Sequence, residues 1–163
     1  MNSVYIILGG NLGNKSINLE TARRLINLEI GEIERESGIY ETEPWGFDDS
    51  RNFLNQVIKV KTKLNPSEIL VRIKEIESRF GRSGRQSPVY QSRQMDMDIL
   101  FFNDDIIKLP GLIIPHPRLH ERNFVLVPLT ELAADFVHPI YNQTIRQLKS
   151  QCKDKKWTKS VNE

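Results

Sequence analysis

The chain predicts an α+β fold, and three observations carry that expectation. Strand-like stretches lie over residues 4–8, 53–64 and 99–102, two amphipathic stretches of helical period lie between them, and the 163 residues make one ordinary domain, taken as 1–163. Hydrophobic residues make up 39% and charged residues 27%, the balance of a globular chain that can bury its own core. A formal net charge of +2 is too small for bulk affinity to nucleic acid or to a membrane surface. Cys152 is the single cysteine, so no internal disulfide can form, and no zinc-ligand spacing surrounds it; a reducing, cytoplasmic setting fits. The opening MNSVYIILGG has no basic leader and only a short apolar run, so neither a signal peptide nor a membrane helix is expected.

Val4-Tyr5-Ile6-Ile7-Leu8 reads as a buried strand bounded by Gly9-Gly10. Asn14 can cap the helix that follows; Leu19, Ala22, Leu25 and Ile26 form its apolar face and Gly31 closes it. Residues 33–42 look extended. In residues 53–64, Ile58, Val60, Thr62 and Leu64 alternate with Lys59, Lys61 and Lys63, the pattern of a half-solvated strand. Between the two lies PWGFDDSRN, long enough for a functional loop. Asn65-Pro66-Ser67-Glu68 is a helix start with a capping box; Ile69, Ile73, Ile76 and Phe80 form the stripe and Gly81 ends it. The Arg-rich GRSGRQSPVYQSR then leads into a strand over DMDILFF. The order β-α-β-β-α-β predicts a ferredoxin-like antiparallel sheet with both helices on one face. Beyond it we expect a turn at Asn103-Asp104-Asp105, a short strand Ile106-Ile107, and a loop over 111–122. A C-terminal helical extension follows, in which Pro128 starts a new segment and a last helix runs near 143–151. The tail KDKKWTKSVNE reads as a solvated end.

In RQMDMDILFF, strand alternation puts Asp96 and Asp98 on one face, together with Leu100 and Phe102. Two carboxylates at that separation repel, and burial makes the repulsion worse. A hard divalent cation neutralises such a pair, and magnesium is typically held by one or two carboxylates plus phosphate oxygens. Taken alone, the pair reads equally as a strand end whose acids face water or arginines. The surroundings favour phosphate: Arg79, Arg82, Arg85 and Arg93 precede the strand, and His116, Arg118, His120 and Arg122 follow it. Acid-bound metal, arginines and a basic loop are the working parts of phosphoryl transfer, against the alternative of a solvated basic loop. GGNLGNKS is not a Walker A loop, because Asn14 separates Gly13 from Lys15; its glycines read as a tight turn out of the first strand. Phe53 and Asn55 share a strand face, an aromatic plane beside an amide, which suits a flat heterocycle as well as it suits plain core.

Over nearly its whole length the chain resembles the 6-hydroxymethyl-7,8-dihydropterin pyrophosphokinase family. The resemblance rests on GGNLGN after the first strand, YETEPWG, FLNQV, IESRFGR, SRQMDMDILFF and PHPRLHERNFVLVPL. It implies transfer of the terminal diphosphate of ATP to the pterin hydroxymethyl oxygen, with AMP released, in folate biosynthesis. It implies that Asp96 and Asp98 hold two magnesium ions, that Arg82 and Arg93 act on the phosphates, and that Glu77, Arg82, Arg85, Arg93, Ile99, His116 and Arg122 bind ATP. Thr42, Pro44, Trp45, Phe53, Asn55, Asp96 and Phe124 are the implied pterin site, with Phe53 and Phe124 sandwiching the ring. A monomer with no nucleic-acid or membrane partner is expected. An RNA-binding module of similar fold would need an RNP1-like strand, which the sequence lacks; another magnesium-dependent nucleotidyl or phosphoryl transferase is the remaining alternative.

Overall fold

The computed structural model describes residues 1–43, 52–81 and 94–161. In chain order these form β1 (Asn2–Gly10), α1 (Lys15–Glu29), β2 (Glu32–Glu36), β3 (Tyr40–Thr42), β4 (Phe53–Thr62), α2 (Pro66–Ser78) and β5 (Asp96–Phe102). Then come β6 (Ile107–Leu109), β7 (Leu112–Ile114), a 3-10 turn at Leu119–Glu121, α3 (Asn123–Ala133), α4 (Ile145–Gln151) and β8 (Thr158–Ser160). The main sheet runs β5-β1-β4-β3-β8. β2 shares with β3 the flank of β4 that β1 leaves open, and each pairing is antiparallel. The architecture is therefore α+β, with an antiparallel sheet and packed helices.

Local chemistry starts the helices where the sequence puts them. The Asn14 side chain accepts from the Ile17 N–H at 3.1 Å. Asn65 and Glu68 satisfy each other's backbone N–H reciprocally, at 2.9 and 3.0 Å, while Pro66 occupies a first-turn position where no donor is needed. The sheet then separates two cores. Val4, Ile6, Leu8, Ile58 and Ile99 pack with Ile26 of α1 and with Ile69, Ile73 and Ile76 of α2. Tyr5, Ile7, Val57, Leu100 and Phe101 pack with Val125, Leu126 and Leu129 of α3 and Ile145 and Leu148 of α4. With helices on both faces, β4 is buried at every position from Phe53 to Ile58; from there to Lys63 the chain alternates as its lysines suggest, with Val60 and Thr62 buried and Lys61 and Lys63 exposed.

Several expectations are corrected. Phe102 does not share the face of Asp96 and Asp98. A bulge lets β5 advance from Ile99 to Phe101 while β1 steps only from Ile6 to Tyr5, so Leu100 and Phe101 both join the α3 side and Phe102 turns to the other core. Gly9 and Gly10 continue β1, paired with Asn55 and Leu54, and do not form a turn. Pro128 lies inside α3. An interior proline disfavours a helix by about 3 kcal/mol, and the burial of Val125, Leu126, Leu129 and Leu132 against the sheet outweighs it. The 111–122 region contains β7 and a 3-10 turn, with Gly111 at φ +74° making the tight connection from β6. The tail is not simply solvated: β8 pairs with β3, Thr42 opposite Thr158. Asp154 anchors its approach, its carboxylate accepting from the Asn123 N–H at 3.0 Å and its carbonyl from Asn123 Nδ2 at 2.7 Å.

Candidate active site

Directly opposed residues of an antiparallel sheet face the same side, so the register builds the site. Gly9 of β1 stands opposite Asn55 of β4 on one flank and Asp96 of β5 on the other. On the same face, one step further in, Ile7 stands between Val57 and Asp98. Phe53 lies beside Asn55, and Arg122 and Phe124 reach the same place from the start of α3. Together these residues line a small slot of about 30 Å³. Phe53 and Asn55 are each 5% exposed. Asn55 Nδ2 donates to Thr42 Oγ1 at 3.1 Å, and the Arg122 guanidinium stands 5.7 Å from the Phe124 ring centroid.

A second space, about 310 Å³, opens beyond the outer edge of β5, between α2 and the β6-β7 hairpin. Leu70, Ile73 and Lys74 form one wall, Leu109 and Gly111 to Ile113 contribute another, and Ile99 and His116 close it. Asp98 borders both spaces. The edge of β5 is itself occupied: Glu77 Oε2 accepts from the Met97 N–H at 2.9 Å, and the His116 N–H donates to the Leu100 carbonyl at 3.0 Å. Glu77, 1% exposed, thus ties α2 to the backbone between the two aspartates, and its Oε1 lies 3.7 Å from Lys74 Nζ.

His116 is held neutral near pH 7. Burial foremost, with the Arg122 charge adding to it and Asp96 opposing, pushes its pKa down to about 4. Its Nδ1 accepts from the Arg118 N–H at 3.2 Å, so in the neutral ring the proton sits on Nε2, which is left to donate. Asp96 and Asp98 offer hard oxygen donors on one face. Among the described residues no group of three or more His, Cys, Asp or Glu gathers that could hold a metal. A magnesium ion, which keeps waters and phosphate oxygens in its shell, suits a pair of carboxylates better than a closed cage does.

Thr42, Phe53, Asn55, Asp96, Asp98, Arg122 and Phe124 come together as one site, and Ile99 and His116 with Asp98 form its neighbour. Glu77 packs behind β5 and does not line the second space. Pro44, Trp45, Arg82, Arg85 and Arg93 lie outside the described residues. Sequence reasoning missed Gly9 and the hairpin wall. A glycine inside a strand pattern and the Pro110-Gly111 pair were the available signals.

The chain is similar to known proteins over most of its length. Residues 5–134 match the model of the 7,8-dihydro-6-hydroxymethylpterin-pyrophosphokinase (HPPK) family. A 2-amino-4-hydroxy-6-hydroxymethyldihydropteridine pyrophosphokinase from Aquifex aeolicus is 40% identical over 152 residues, covering 93% of this chain and 92% of that protein. The Bacillus subtilis protein of the same name is 41% identical over 132 residues, covering 80% of this chain and 78% of its own. The crystal structure of wild-type Plasmodium falciparum HPPK-DHPS with SDX-DHP shares the fold, with a TM-score of 0.75 at 22% identity over 92% of this chain. The chain spans only 44% of that longer structure. No helix among the described residues is long and apolar enough to cross a membrane. On its sequence match across most of its length, the chain belongs to the 7,8-dihydro-6-hydroxymethylpterin-pyrophosphokinase family.

Proposed function

We propose that the slot takes 6-hydroxymethyl-7,8-dihydropterin and the larger space takes ATP, and that the chain moves the terminal diphosphate of ATP to the pterin hydroxymethyl oxygen, releasing AMP, in folate biosynthesis. The observation that carries this reading is the position of Asp98, which borders both spaces at the edge of the sheet. Two substrates entering from opposite faces of β5 meet at the acid pair. Phe53 and Phe124 stack on the faces of the ring and Asn55 reads its polar edge, with Thr42 steadying the amide. Ile99 and the hairpin offer an apolar wall to the base, and Arg122 and neutral His116 offer donors to the phosphates.

Asp96 and Asp98 would hold two magnesium ions, whose chemistry is neutralisation of the charge on the diphosphate being moved. Arg82, Arg85 and Arg93 complete the phosphate site and Pro44 and Trp45 the pterin site in this reading. We further read the whole chain as one ferredoxin-like domain with a C-terminal helical extension, supported by the strand order β5-β1-β4-β3 and by α3 and α4. We read it as a cytoplasmic monomer without a nucleic-acid or membrane partner. Product analysis tests the reaction: incubation with ATP, magnesium and the pterin should yield AMP and the pterin diphosphate in equal amounts. Formation of ADP would reassign the enzyme to simple kinase chemistry.

A further inference from the structure

We infer that Gly9 is a positioning residue for pterin recognition, because the missing side chain in β1 leaves the space in which the Asn55 carboxamide lies. The inference rests on the slot being the pterin site. A Cβ built on Gly9 collides with Asn55 Oδ1, falls 3.1 Å from Asn55 Cγ and 2.9 Å from the Leu54 carbonyl oxygen. Gly9 does not have a left-handed φ, and its pairing with β4 and β5 is ordinary antiparallel ladder. Conformational freedom is therefore not what places glycine here; the space above its Cα is.

The consequence is a clamp from two sides. In a usual cross-strand pair the two Cβ atoms stand about 5 Å apart and both side chains rise from the sheet. Here one partner has none, and Asn55 leans across β1 into the vacancy. From the other flank, Thr42 Oγ1 accepts from Asn55 Nδ2 at 3.1 Å. With one end of the amide bonded to β3 and the other lodged over β1, the carboxamide is held in place from both sides. A heterocycle edge is read by donors and acceptors at fixed positions, so an amide held in place discriminates where a swinging one does not. Asp96 sits on the opposite flank of Gly9, so the same gap lies between the group that reads the ring and one of the two acids of the pair.

A mutant cycle in the full chain tests this. Gly9→Ala, Asn55→Ala and the double variant are titrated calorimetrically with 6-hydroxymethyl-7,8-dihydropterin and, separately, with a non-hydrolysable ATP analogue, and melting curves are recorded. Gly9→Ala should weaken pterin binding about tenfold, the worth of one well-placed hydrogen bond, and leave the ATP analogue within about twofold. In the Asn55→Ala background the same glycine change should leave pterin affinity nearly unmoved, because the group it displaces is gone. Normal pterin binding by Gly9→Ala, or the same loss in both backgrounds, overturns the inference. Unchanged affinity in Asn55→Ala alone overturns the slot assignment itself. Should Gly9→Ala fail to fold, rescue of folding by Asn55→Ala supports the clash described. A double variant that also fails points to the Leu54 carbonyl and overturns it.

Discussion

At the scale of single residues, the acid pair was legible and its setting only partly so. Alternation along DMDILFF puts Asp96 and Asp98 on one face, and the structure keeps them there, in the slot. Asp98→Asn preserves shape and removes the charge that a metal needs. Turnover should fall about a hundredfold or more while the melting curve stays near that of the parent, a pair of results read by a steady-state assay with magnesium and by thermal unfolding. Gly9 was not legible, because its meaning depends on which residue stands opposite it, and register is a long-range property. His138 was not singled out at all. It is 1% exposed, its Nδ1 accepts from the Ile140 and Tyr141 N–H groups at 3.1 and 3.3 Å, and its ring packs edge-on against Phe101. Burial first, then the nearby His120, pushes its pKa down to about 4. The unfolded chain therefore takes up the proton more readily, and stability present above pH 6.5 is lost as pH falls toward 4. Between pH 7.5 and 5 this should remove up to about 2 kcal/mol. His138→Asn keeps an acceptor and cannot titrate, so its urea midpoint should fall less than the parent's over the same interval.

Among elements, the sequence spoke clearly where local chemistry decides. Asn14 and Asn65 begin the helices expected of them, and the stripe Ile69, Ile73, Ile76 faces the sheet. It was silent or misleading where tertiary packing decides. Pro128 argues against a helix locally, yet α3 forms because its apolar residues have a sheet face to cover. The tail KDKKWTKSVNE is polar, yet Thr158–Ser160 finds the edge of β3, a strand too short to announce a partner. That contact carries a prediction. β3 has three residues and holds Thr42 between β4 and β8. Deleting residues 157–163 should loosen Thr42 and raise the KM for pterin several-fold with the KM for ATP unchanged. An unaltered pterin KM in the truncated enzyme would detach the tail from the site.

For the whole molecule, the decisive arrangement is a sheet covered on both faces whose outermost strand carries the acids. α1 and α2 take one face, α3 and α4 the other, and β5 at the margin is open to both. On the proposed assignment, two substrates on opposite sides of one strand share Asp98, so their binding should be coupled. With magnesium present, an ATP analogue should tighten pterin binding about tenfold, pterin should tighten the analogue by the same factor, and Asp98→Ala should bring the factor toward one. Calorimetric titrations in both orders measure it; independent binding in the parent would mean that the two spaces do not communicate.

The placement of Glu77 acquires a different meaning at a strand margin. A sheet's outer strand offers unpaired amides to any extended chain that passes, and proteins that leave such a strand bare invite edge-to-edge aggregation. Here the Met97 amide is covered by the Glu77 carboxylate, and the Leu100 carbonyl by the backbone of His116. On the far side β8 is three residues long with Lys159 at its centre, and β2 reads Glu-Ile-Glu-Arg-Glu. The proposed substrate sites need β5 to remain an outer strand, and Glu77 occupies an amide there at which another extended chain could otherwise pair.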